Sequence, residues 1–270
     1  MTALSADLKV ELVADRLNGY VRRYDETHDH RAAFAFTYFR LTQTLAGSLN
    51  RRRPRFRDPD WVADLSVALA SQYFRAMDAI DGWLHQKPHQ RGHTNRALEQ
   101  PQGVARPWRD VYQASLVPRS YVLEDVLFSM MAHMSYDLPI ALETLASSGK
   151  VANHISDYHL MNDVLGSSID DVQDELAERY WHMMSSLDQL FTRQDELLTN
   201  YGIRVARGLA WFNFDRLQDV REHAKARASI ERSTAAFIEE IRNPNDWKLR
   251  TALTVCRALV PSRRTWPDHK

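Results

Sequence analysis

His133 and Asp137 stand four residues apart in Met130–Leu142, MMAHMSYDLPIAL, a run otherwise dominated by methionine and aliphatic side chains. On a helix, positions i and i+4 share one face, so the imidazole and the carboxylate project side by side. Such a pair has three uses. Nitrogen and oxygen donors at this spacing can clamp one divalent ion, and the set suits zinc, iron or manganese. The carboxylate can instead fix the imidazole tautomer for acid–base work. The third use is structural, each group satisfying the other in a core. Met130, Met131, Met134 and Leu138 predict burial, and a buried carboxylate is costly without a partner, so histidine, a metal or an arginine must compensate Asp137. Pro139 lacks a backbone donor, which predicts a kink beside the pair.

Other polar groups sit in apolar surroundings and extend the candidate site. Asn153–Asp163, NHISDYHLMND, is dense in histidine, aspartate and asparagine. Asp157 is a helix cap or a third metal ligand, and Asn162, followed by Val164 and Leu165, should face inward where it can hydrogen-bond a substrate. Asp78 and Asp81 close an aromatic helix, as a solvated helix end or, for Asp78, as a further ligand. Arg40 lies inside an apolar helix, where a buried guanidinium needs a carboxylate or an anionic ligand; a salt bridge to one of these aspartates is the expected role. The catalytic candidates are thus His133, Asp137, Arg40 and Asn162, and the metal candidates His133, Asp137, Asp157 and Asp78. Asp170-Asp171-Val172-Gln173-Asp174 also resembles the DDxxD motif by which class I terpene synthases hold magnesium and diphosphate, and Asn162–Asp170 approximates their second motif. The two overlap at Asp170 and cannot face each other across a cavity, whereas an acidic first helical turn explains the cluster through the helix dipole.

The elements that must position these groups are helical. Leu4, Leu8, Leu12 and Val13 predict an opening amphipathic helix to about Tyr20, and Ala32 to about Leu49 reads as a second helix rich in aromatics. Asp58-Pro59 predicts the cap and first residue of a third, running to about His85. Residues 86–106 are polar, with prolines and glycines, and read as a long loop. Helical patterning resumes at Pro107 and recurs over 123–145, 156–165, 169–200, 203–242 and 246–259, with no alternating strand run and no repeat. The chain is predicted to be all-α, a single-domain helical bundle over residues 1–270.

Composition narrows the function. Thirty-five basic side chains balance 35 acidic ones, which argues against nucleic acid as the main partner. The local exception, NRRRPRFR at 50–57, reads as a solvated loop before an anionic-ligand patch. A single cysteine, Cys256, allows no intrachain disulfide and no thiolate metal site. No apolar run approaches the roughly 20 residues of a membrane span, and the N-terminus lacks a signal-peptide core. The expectation is a cytoplasmic protein.

The order of FAFTYFRLT, FRDPDWVADLSVALASQYFRAMDA, RPWRDVYQAS, MAHMSYDLPIAL and DYHLMNDVL resembles a bacterial, largely actinobacterial, helical family catalogued as domain of unknown function 5995, over about residues 30–215 and including ARGLAWFNF near Trp211. Ala132, His133, Asp137, Leu138, Pro139, Ala141 and Leu142 fall on the family's small-Asn-Ala-His segment, Met131 standing where asparagine is usual; Asp157 and Asn162 match later positions. A weaker similarity is to zinc-dependent phospholipase C-like enzymes, whose second histidine is here replaced by apolar Ile140-Ala141-Leu142. The resulting expectation is an enzyme acting on a small apolar molecule, such as a specialised metabolite, by hydrolysis, proton transfer or cyclisation. Its cavity would be lined by aromatics and methionines around His133 and Asp137, with or without a divalent metal. The competing expectation is a non-catalytic protein that binds an apolar ligand or a partner helix.

Overall fold

Helix α1 (Ala6–Glu26) places Val10, Val13, Leu17, Val21 and Tyr24 on one buried stripe, the three-to-four spacing of an amphipathic helix. It runs past Tyr20 because Val21 and Tyr24 continue the stripe and buried Asp25 finds Arg179 and the Tyr180 hydroxyl. The computed structural model describes residues 4–50, 56–86, 101–115, 122–146, 154–180 and 200–259, and no strand occurs among them. Most of the expected 86–106 loop, the arginines of 51–55 and the expected helical run over 181–199 lie outside the described residues.

Helix α2 (Ala32–Leu49) buries every residue from Ala32 to Thr37, so its first half is enclosed on all sides, against α1, α5 (Val122–Met131), α7 (Ile155–Gly166) and α8 (Ile169–Tyr180). Helix α3 (Pro59–Gln86) starts as its sequence predicts: the Asp58 carboxylate accepts the Trp61 N–H at 2.9 Å, and Pro59 fills the first position, where a missing N–H costs nothing. Helix α4 (Arg106–Ser115) turns Trp108, Val111 and Tyr112 inward.

The central rod is α5, a wide π-helical turn over Ala132–Asp137, and α6 (Leu138–Ala146). The kink expected beside Pro139 is represented by this wide turn. The proline ring crowds the carbonyl four residues earlier and offers no N–H, and in the widened turn the Leu138 N–H reaches the His133 carbonyl five residues back. The wide turn is touched by α3, α4, α5, α6, α9 (Asn200–Leu217) and α10 (His223–Arg242), so the His133–Asp137 segment sits where the bundle is most enclosed. The expected helix over 203–242 is broken between α9 and α10. There Asp219 accepts the Arg221 N–H at 2.9 Å and its carbonyl accepts the Glu222 N–H at 3.1 Å, a local turn that an aspartate offers the backbone in place of helix. Helix α11 (Trp247–Leu259) closes the described chain. One buried apolar cluster runs from Val10 on α1 to Leu253 on α11.

Candidate functional site

The wide turn keeps His133 and Asp137 together, both nearly fully buried. His133 Nδ1 lies 3.4 Å from Asp137 Oδ2, a long but direct contact. The indole N–H of Trp108, from α4, donates to both carboxylate oxygens, at 3.2 Å and 3.0 Å, and so holds the carboxylate in place. Burial pushes the Asp137 carboxyl above its ordinary range, against the opposing pull of His133 and then Trp108. Aromatic rings from two further helices box the imidazole: Tyr38 has its ring centre 4.4 Å away, Phe34 5.7 Å and Tyr73 6.2 Å. With Nδ1 turned to Asp137, the other nitrogen, Nε2, has no hydrogen-bond partner among the described residues. A buried nitrogen left in this way costs roughly 1–3 kcal/mol.

His133 stands on the wall of a cavity of about 60 Å3 between α2, α3, α5, α7 and α9, ample for several waters or a small organic group. Its lining is almost wholly apolar, with Leu41, Leu65, Met130, Met161 and Ile203 among the contributors. Three lining hydroxyls are already used: Thr37 donates to the Ala33 carbonyl at 3.0 Å, Thr42 to Tyr38 at 2.7 Å and Ser66 to Val62 at 3.0 Å. The other polar lining groups are His133, the Tyr38 hydroxyl and Arg207.

Arg207 comes from the middle of α9 and is only 1% exposed. Its Nε donates to Asn162 Oδ1, its Nη2 lies 3.9 Å from the Met161 sulfur, and its guanidinium stacks 4.4 Å over the Tyr158 ring. The Tyr158 hydroxyl in turn donates to the Arg207 carbonyl at 2.7 Å. Every one of these partners is neutral, and no carboxylate pairs with Arg207 among the described residues. Burial lowers its proton affinity, opposed by Tyr158 and Tyr38, yet a guanidinium stays charged. The Tyr38 hydroxyl is held well above its ordinary range by burial and then by the Asp137 charge, while Arg207 pulls it down; it sits within reach of both fields.

The remaining sequence candidates go elsewhere. Asp157 is buried on α7, but both oxygens accept backbone N–H groups of the chain leading into α3, Arg57 at 2.9 Å and Asp58 at 2.8 Å. It is a latch between segments rather than a cap of its own helix, which begins after His154. Asp78 faces α1, bound to the Tyr20 hydroxyl and, at 3.0 Å, to Arg16. Asp81 is not a solvated helix end, since Arg23 at 2.6 Å and buried Arg31 at 2.8 Å hold it. Arg40 finds Glu175 at 2.5 Å on α8 rather than an aspartate, and the pair is about one-third exposed. None of Asp157, Asp78 and Arg40 lines the cavity. Asn162 is inward-facing as expected, but its oxygen is occupied by Arg207. Asp170, Asp171 and Asp174 are exposed on α8. Among the described residues no group of three or more His, Cys, Asp or Glu gathers as a metal site.

Two residues of the site carried no sequence signal strong enough to assign them a role. Trp108 reads as one more core aromatic at a helix start, and Arg207 as a surface charge between the small residues Ala206 and Gly208. Only the packing of α4 and α9 against the central rod brings them in.

The fold and site together define an all-α protein with a buried His–Asp pair on a wide helical turn beside an apolar cavity. Over residues 10–91 and 92–244 the chain matches a family described as a family of unknown function (DUF5995), and it belongs to that family. No curated protein and no solved structure matches it.

Proposed function

We propose that the chain is an enzyme that moves a proton on a small, largely apolar molecule held in this cavity, with His133 as the acid–base group and Asp137 as the residue that positions it. The observation that carries this reading is the polarity of the pair. Asp137 engages Nδ1 and is itself fixed by Trp108, while Nε2, covered within an aromatic box, has no partner among the described residues, and the residue lines the cavity. A carboxylate on Nδ1 selects the tautomer that carries its proton there and leaves an Nε2 lone pair as a base. Water is scarce in such a lining, so a proton taken by His133 stays with the substrate until it is returned.

A divalent ion is the other use of the same two side chains. The proton reading is favoured because Asp137 already accepts two bonds from Trp108, and the aspartates that would complete a ligand set, Asp157 and Asp78, are spent elsewhere. A non-catalytic ligand-binding role draws on one observation, that Nε2 is itself covered. Access then requires a ring to turn, and Tyr38 is the closest to His133 and the least buried of the three.

The first test needs no substrate. Nitrogen NMR of the full chain should find His133 as the Nδ1–H tautomer, switching to Nε2–H in Asp137→Asn. An Nε2–H tautomer in the wild type would defeat the base assignment. Screening with activated esters and ketones should then give turnover that disappears in His133→Gln; turnover indifferent to that change would leave only a binding role.

A further inference from the structure

Arg207 raises a question that acid–base chemistry at His133 does not answer. A guanidinium buried among Asn162, Met161 and the Tyr158 ring has no counter-charge in the described chain, although it lines the same cavity as His133. Removing a charge from water costs several kcal/mol unless an opposite charge and good hydrogen bonds offset it. Asn162 and the aromatic face offset part of this and also fix the side chain's direction, as in a site preorganised for an anion.

We propose that the cavity binds an apolar organic acid through its carboxylate, with Arg207 as the counter-charge and the Tyr38 hydroxyl as a second donor to the head group. This names the substrate class of the site above and rests on that cavity being where the ligand sits. Among the described residues one buried cation lines the cavity, so a monoanion neutralises it; a phosphate monoester near two negative charges would leave excess charge buried. The other lining hydroxyls, on Thr37, Thr42 and Ser66, are committed to their own helices, which leaves apolar walls for the tail. Asn162 is a positioning residue in this arrangement, acting through Arg207.

Calorimetric titration of the full chain with octanoate, 1-octanol, octylamine and octyl phosphate, which share one tail, tests the assignment. Octanoate should bind at least about tenfold more tightly than 1-octanol, with octylamine weakest; tenfold corresponds to about 1.4 kcal/mol. In Arg207→Met the octanoate affinity should fall to the 1-octanol level while 1-octanol is changed by less than about threefold. The wild-type comparison decides alone if that variant does not fold. Equal binding of octanoate and 1-octanol would overturn the carboxylate site and leave the His133 reading standing. Tighter binding of octyl phosphate would overturn the monoanion assignment, and failure of every probe to bind would overturn the cavity and the proposal together. Loss of the acid–base reading is seen separately, in the His133 tautomer, which the probe series does not measure.

Discussion

Trp108→Phe removes one N–H and little else from the support of the His133–Asp137 pair. The indole donates to both oxygens of a carboxylate that is 2% exposed, so the bond lost is charge-assisted, worth about 1.5–3 kcal/mol. The smaller ring leaves a void that costs roughly 1 kcal/mol more. The single variant should therefore lose about 2.5–4 kcal/mol at neutral pH. In an Asp137→Asn background the same change breaks only a neutral bond, about 0.5–1.5 kcal/mol, plus the same void. The two substitutions should couple by about 1–1.5 kcal/mol in a double-mutant cycle measured by urea unfolding. The pH dependence carries a definite sign. Burial raises the folded-state affinity of Asp137 for its proton, so relative to Asp137→Asn the wild type is most stable below the ordinary carboxylate value and loses that advantage as pH rises through the raised folded value. Trp108→Phe removes a donor that favours the ionised form and pushes the folded value higher still. Its cost should grow as pH rises above the ordinary carboxylate range and through the raised folded value, and the coupling should shrink toward the acid end. Coupling below about 0.5 kcal/mol, or a cost independent of pH, would refute the view that Trp108 supports an ionised Asp137.

Asp157→Ala should lower stability by about 1–3 kcal/mol, because two backbone N–H groups at the entry to α3 lose their acceptor; an unfolding midpoint unchanged in calorimetry would contradict the latch. Arg40→Ala should cost less than about 1 kcal/mol and leave octanoate titration as it is, since its ion pair with Glu175 is solvent-screened; a large loss of binding would place Arg40 in the site after all. Replacing Asp170, Asp171 and Asp174 by asparagine should leave the thermal midpoint in magnesium with pyrophosphate where the wild type has it, and a magnesium-dependent stabilisation that vanishes in the triple variant would restore the diphosphate reading of α8.

Helix identity was legible residue by residue. Three-to-four spacing of apolar side chains specifies which stripe is buried whatever the partner, and the Asp58-Pro59 start of α3 is set by local hydrogen bonding and by the fixed geometry of proline. The break between α9 and α10 was not legible from periodicity because apolar spacing continues across it, and the signal lay in Asp219, a residue able to bond its own backbone. The pairing of His133 with Asp137 was readable for the same local reason, one helical face, and Pro139 announced a distortion without specifying a π turn.

Partners across the bundle were a different matter. Asp157, Asp78 and Arg40 are all polar groups in apolar stretches, and burial cost predicts that each finds a partner without saying which. Their choices of two backbone amides, of Tyr20 with Arg16, and of Glu175 depend on helix packing angles that couple residues separated by as many as 135 positions. By itself, then, the sequence determined an all-α chain, the His133–Asp137 pair and an inward Asn162, because each follows from contacts within one helix. Tertiary structure alone decided that Trp108 would hold the carboxylate, that Asn162 would face Arg207 and that this guanidinium, with no carboxylate partner among the described residues, would line a cavity together with His133. Those outcomes are set where helices meet, and no spacing along the chain encodes them.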